Sequence, residues 1–310
     1  CAALGFDGAP MRELLRSLLR LCLDGEQTVE AATFVVRAAQ LCWACAEVRA
    51  HRREATQLTS RLAGQWEEAA SGNGPALEGV DCLSGIRLAW ASLACGGADS
   101  EIRSLLHFMG EVDAEDVLPR LTPVDLQPAR QLAWHCRQRT DSVAPARWAE
   151  ELLAKSPEPS PGASARRPAA AGGGGSSSSS GASPGRTVQT LPPEQQLSGL
   201  LQQIRVPHVV ASPAAVPGGI YRVSIWFPQP RAVLDVDSGV DRLTSGALGG
   251  AAELRRRQLR AAGLQVYAFD SSTLRGPSRA EQLRAVAEAV APSCPEAADW
   301  LSGPEGAVAR

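Results

Sequence analysis

Lysine is nearly missing from this chain: Lys155 is the only one among 310 residues, so every other basic position is an arginine. Arginine suits planar phosphate recognition and stays protonated, which excludes lysine-assisted proton transfer along almost the whole sequence. Long apolar runs are missing too. None approaches the roughly 20 residues that span a bilayer, so no membrane contact through a spanning helix is expected. No signal or transit peptide is visible, and because the chain opens on Cys1 its true start is expected to lie upstream. The eight cysteines are scattered through helix-like segments, without the spacing of a disulfide framework, and read as buried thiols of a reducing compartment. Cys42 and Cys45 make one CxxC. No second CxxC supplies the four ligands of a structural zinc, and no strand precedes the motif as a redox site would need. No metal and no cofactor are expected.

What is present divides in two. Residues 1–154 carry 15 arginines against 21 acids, whereas 155–310 carry 16 basic residues against 12 acids. The near-neutral total hides an acidic front and a basic back. Between them "SPEPSPGASARRPAAAGGGGSSSSSGASPG" (156–185) cannot bury apolar surface and reads as a flexible linker. The expected organisation is a helical region over 1–154, a linker over 155–190, a second domain over 191–292 and a tail over 293–310.

The front is helical. "MRELLRSLLRLCL" (11–23) places Leu14, Leu15, Leu18, Leu19 and Leu21 on one face and Arg12, Arg16 and Arg20 on the other. Three segments echo one another: "AAQLCWACAEV" (38–48), "GIRLAWASLAC" (85–95) and "ARQLAWHCRQR" (129–139). Their tryptophans, Trp43, Trp90 and Trp134, stand 47 and 44 residues apart, which fits helix pairs stacked into an α-solenoid. The tryptophans are expected in the core. The unit resembles the degenerate leucine-tryptophan-alanine repeats of organellar RNA-binding proteins, the octotricopeptide and FAST-kinase types, although the third copy has His135 where the others have alanine.

The back has another rhythm. "PPEQQLSGLLQQI" (192–204) is a short amphipathic helix, and "GGIYRVSIWF" (218–227) alternates as a strand. After a "PQPR" turn comes a buried strand, "AVLDVD" (232–237). A basic helix, "LGGAAELRRRQLRAAG" (248–263), closes on Gly263. "LQVYAF" (264–269) is a further strand, and "SRAEQLRAVAEAV" (278–290) is a helix opened by Ser278 with Glu281 three residues on.

This order, with "YRVSIWFPQPRAVLDVDSG" and "LGGAAELRRRQLRAAGLQVYAFDSSTL", resembles a RAP domain over about residues 194–291. Helical repeats before such a domain are the usual layout of that family. The resemblance implies a fold class of α + α/β: a solenoid-like helical repeat region, then a small α/β domain of restriction-endonuclease-like fold. It further implies RNA binding in a mitochondrion or plastid, with action in RNA processing, stability or translation. The partners implied are a single-stranded organellar transcript or ribosomal RNA, and ribosomal or other RNA-processing proteins.

Asp235 and Asp237 raise the question of cleavage. Two residues apart on a strand, they share a face with Cα atoms about 6–7 Å apart, and paired carboxylates can hold a metal ion. A nuclease of the implied fold also needs an acid on the preceding strand and usually a lysine. Ser224 stands at the first position, and the only lysine is in the linker. The pair is therefore expected to be structural, paired with nearby arginines, and the protein is not expected to be an enzyme. The basic helix is the expected RNA contact, with Arg256, Arg257 and Arg260 outward, Arg255 at the edge, and a stripe of Ala251, Leu254, Leu259 and Ala262 buried. Arg222 on the first strand joins them. Two other readings stay open: a structural or interaction subunit of an organellar ribosome or other ribonucleoprotein, and a metal-dependent endoribonuclease.

Overall fold

The computed structural model describes residues 7–24, 31–71, 81–107, 117–138, 151, 154, 191–212, 221, 223–237, 241–275 and 278–303. The expected linker and Arg222 lie outside the described residues. The first half forms α1 (Ala9–Asp24), α2 (Ala31–Glu47), α3 (Arg52–Ala70), α4 (Cys82–Cys95), α5 (Asp99–His107), a 3-10 turn (Leu118–Arg120) and α6 (Pro123–Gln138). The second half forms α7 (Pro193–Gln203), β1 (Val209–Ser212), β2 (Val223–Phe227), β3 (Ala232–Asp237), α8 (Gly250–Ala261) and β4 (Gln265–Asp270). A 3-10 turn (Ser271–Arg275), α9 (Arg279–Val290) and α10 (Pro295–Ser302) follow. The composition is mostly helix with one small mixed sheet.

Packing divides these elements into two units, and the division is not the expected one. The first unit takes the described residues up to 154 together with Tyr221 and Asp241–Leu264; the second takes 191–212, 223–237 and 265–303. The basic helix α8, expected inside a domain over 191–292, thus belongs to the helical unit.

In the helical unit α4 is the centre. Apart from Arg87, "CLSGIRLAWASLAC" is apolar or small all round, and nearly all of it is buried. Its small residues let α2, α3, α5 and α6 close on it from several sides. Both ends are fixed: the Asp81 carboxylate accepts the Ser84 N–H at 2.6 Å, and Gly96 ends the helix at φ +89°. Arg87 of α4 holds Asp125 of α6 in a two-pronged pair, Nε–Oδ1 2.9 Å and Nη2–Oδ2 3.2 Å. The three tryptophan segments fall on α2, α4 and α6, with α3 and α5 between them. Trp90 and Trp134 are buried, whereas Trp43 is only half-buried against the margin of the core. His135, the odd residue of the third segment, sits 3.1 Å from Asp99 of α5. The apolar face of α1 is wider than what covers it. Leu15 and Leu19 are buried, but Leu14, Leu18 and Leu21 stay 53%, 40% and 69% exposed, because the neighbouring helices α2 and α3 reach only one edge of the stripe.

In the second unit the sheet runs β1-β2-β3-β4, antiparallel except for the parallel pair β3–β4. Val223, Ile225 and Phe227 are buried and Ser224 and Trp226 half-buried, the alternation expected of β2. Tyr221 lies before this strand and joins the helical unit. One sheet face, with Ile225, Phe227, Leu234, Val236 and Phe269, packs on Leu197, Leu200 and Leu201 of α7 and Val286 and Val290 of α9. β3 is buried on both faces, as befits a central strand. Two elements were not anticipated. β1 is a four-residue edge strand, and the expected tail contains α10, whose Ala297 is fully buried.

The burial contrast sets an expectation for stability. Trp90→Ala should cost about 3–5 kcal/mol in denaturant unfolding, the range for truncating a core aromatic. Trp43→Ala should cost clearly less; equal losses would place the Trp43 ring as deep as Trp90.

Candidate nucleic-acid interface

Helix α8 carries most of the nominated arginines, so its seating decides which of them face outward. Its N-cap, Gly249, has no side chain to cap with. Glu47 at the end of α2 fills that role, its carboxylate accepting the Ala251 backbone N–H. Close approach is possible only because Gly250 follows: a Cβ there would lie 2.2 Å from the Ala46 carbonyl oxygen. Further along, a chain of buried polar groups runs through the unit. Trp90 Nε1 donates to Gln131 Oε1 at 2.7 Å, and Gln131 Nε2 donates to the Ala251 carbonyl at 2.8 Å. Gln258 Nε2 donates to the Gln131 carbonyl at 2.9 Å, and the Tyr221 hydroxyl donates to Gln258 Oε1. The approach to α8 is held as well. Asp7, itself buried, is raised by desolvation, but the Ser245 hydroxyl, Thr244 Oγ1, Arg12 and the Ser245 backbone N–H all donate to its carboxylate and together hold it far below the usual range.

This seating breaks up the expected outward face. Arg256 is 7% exposed, buried along with Ala252, Leu254, Gln258 and Leu259. Arg255 is largely buried and pairs with Asp241, Nη1–Oδ1 3.6 Å. Arg257 is exposed, as expected, but its Nη2 donates to the Leu93 carbonyl at 2.5 Å and so helps cap the C-terminus of α4. Desolvation lowers its pKa, Glu253 opposing and Arg52 adding to the shift. Arg260 points outward as expected, with no partner among the described residues that turns it back. Alternation of residue type fixes which side chains share a helix face. It does not reveal that α8 has partners on more than one face.

Asp235 and Asp237 lie on β3 at 5% and 2% exposure, beside Ala268 and Asp270 of β4 in register. Asp270 accepts the Ser272 N–H. Among the described residues no group of three or more His, Cys, Asp or Glu side chains is arranged to hold a metal ion. Cys42 and Cys45 are buried, and burial pushes both thiols up, Cys45 to about 12, so neither is a reactive thiolate.

The structure also gathers residues that sequence reading missed. Arg49 Nε and Arg52 Nη2 meet on one oxygen of Glu253, at 2.5 and 2.7 Å. Arg49 and His51 of the α2–α3 turn both have left-handed backbones, φ +54° and +51°. The one signal available was the crowding of basic residues in "VRAHRRE" (48–54).

Two outcomes follow for α8. Arg256→Gln should lower the melting temperature, whereas Arg260→Gln should change stability by less than about 0.5 kcal/mol, as surface substitutions do. Burial raises the Glu47 carboxyl from the ordinary 4.5 to about 7, with Asp241 adding to the shift and the Ala251 N–H opposing it. A raised carboxyl favours the fold fully only below its unfolded value, and that contribution is lost as pH rises through about 7. Glu47→Gln keeps an acceptor and cannot ionise, so melting temperature against pH should flatten between 4.5 and 7. An unaltered slope would show that another group sets it. A scan of the chain against protein-family models finds no matching family, and a search of curated proteins finds no match.

Proposed function

We propose that this is an RNA-binding protein of an organelle, acting in RNA processing, stability or translation, with a RAP-like C-terminal region following solenoid-type helical repeats. The observation that carries the reading is the order helix, hairpin strands, arginine-rich helix, Gly263 at φ +80°, strand, on the segments whose wording resembles that family. Placement of the three tryptophan segments on α2, α4 and α6 supports the repeat part. Arg260 and the exposed part of Arg257 are the RNA-facing groups of α8, while Arg255 and Arg256 act as scaffold. The reading includes no cleavage step, since Ser224 takes the place of the first acid and the domain has no lysine.

A second reading, a structural subunit of a ribosome or other ribonucleoprotein that contacts protein, draws on the exposed Leu14, Leu18 and Leu21 of α1.

The test is a salt titration of the full chain with single-stranded RNA. Affinity should fall steeply with salt, and Arg260→Gln should reduce the slope by about 0.7, one phosphate contact on a single strand. RNA binding absent at low salt, together with co-sedimentation of the chain with ribosomal particles, would favour the second reading.

A further inference from the structure

Beside the exposed residues of α8, two arginines meet on one carboxylate and a third stands one turn along the helix from it. Arg49 from the α2–α3 turn and Arg52 from the first turn of α3 both reach Glu253 Oε2. Arg257 comes from the turn of α8 after Glu253, close enough to Arg52 and Glu253 for both to bear on its charge. The cluster is about one-third open to solvent, with side-chain exposures of 33% for Arg49, 34% for Arg52 and 33% for Glu253.

Physical chemistry makes this arrangement costly as it stands. Two guanidinium groups on one carboxylate oxygen leave an excess of one positive charge, and Arg257 adds a further one nearby. Arg52 and Arg53 also occupy the first turn of α3, where the helix dipole disfavours cations and Glu54 is the one acid, and the His51 side chain at its N-cap does not cap the helix but lies with Nε2 2.8 Å from the Arg12 carbonyl oxygen. Arg49 and His51 of this turn are both in left-handed conformation, which non-glycine residues keep only where the surrounding structure imposes it. Only Nε of Arg49 and Nη2 of Arg52 are used by Glu253, so each guanidinium keeps further N–H groups for another acceptor. A tetrahedral oxyanion satisfies such forks two N–H groups at a time.

We propose that Arg49, Arg52 and Arg257 form an oxyanion site for phosphate chemistry, occupied by a phosphodiester of the bound RNA strand. The site deepens the RNA-binding reading by naming where the backbone is gripped: on the helical unit, at the junction of α2, α3 and α8. Glu253 orients the arginines and moderates their charge, so it sets affinity from within the site.

The full chain is titrated with a single-stranded RNA oligonucleotide and, separately, with inorganic phosphate and pyrophosphate. The variants are Arg49→Gln with Arg52→Gln, and Glu253→Gln. The double variant should bind RNA more weakly and lower the salt slope by about 1.4, two contacts on a single strand. Glu253→Gln removes the competing carboxylate and should tighten both RNA and pyrophosphate, which keeps the test decisive if the double variant folds poorly. RNA affinity unchanged in a folded double variant but weakened by Arg260→Gln sinks the site and leaves the RNA reading standing. Pyrophosphate binding that is lost in the double variant, with no RNA binding by the unaltered chain at low salt, sustains the oxyanion site with a free phosphate compound as its ligand and sinks the RNA reading. Loss of neither ligand in the double variant, with no tightening in Glu253→Gln, overturns the proposal.

Discussion

The helical unit depends on one buried requirement: Gln131 must have all its polar atoms matched. In an apolar interior an unmatched amide costs about 1–3 kcal/mol. Gln131 meets that requirement with Trp90, the Ala251 carbonyl and Gln258, and Gln258 in turn is met by Tyr221. Hydrophobic burial alone would tolerate α8 slipping or rotating by part of a turn. The amide chain does not, because two of its bonds join particular atoms of Gln131 on α6 to particular atoms of Ala251 and Gln258 on α8, and Trp90 of α4 fixes the Gln131 amide in turn. The rotation it enforces buries Arg256, sends Arg257 to the end of α4, and leaves Arg260 in water.

The charge split along the sequence takes on a different meaning once this seating is known. Residues 241–264 contain five arginines and two acids, and they account for much of the basic excess of the second half. That segment folds into the acidic helical unit. Its basicity therefore serves partly to hold the fold, through Arg255 with Asp241 and Arg257 on the Leu93 carbonyl. Glu253 reverses the pattern, an acid of the basic segment held by two arginines of the acidic region. Only the surplus is left for a ligand.

Sequence reading succeeded where the determinant is local. The buried run "AVLDVD" is β3 to the residue, and Ser278 and Glu281 form the reciprocal cap that their spacing implied. Gly263 has the positive φ that a helix end favours. It fell short where the determinant is the number of neighbours. Leu14, Leu18 and Leu21 look like core beside Leu15 and Leu19, yet no described helix covers them. Arg256 and Gln258 look like surface and are buried. The Arg52–Glu253 pair joins residues 201 positions apart, and no periodicity within either helix encodes it.

Since α8 is encoded between β3 and β4 but folds with the helices, neither unit is a continuous stretch of chain. Synthesis therefore cannot complete the N-terminal helices first and the sheet second. Until residue 264 has been made, Gln131 has no Ala251 carbonyl and no Gln258, and α4 lacks the cap that Arg257 provides. Evolution meets a matching restraint. A gene break at the Gly/Ser run would separate α8 from the helices it completes, so the two halves are bound to be inherited as one piece.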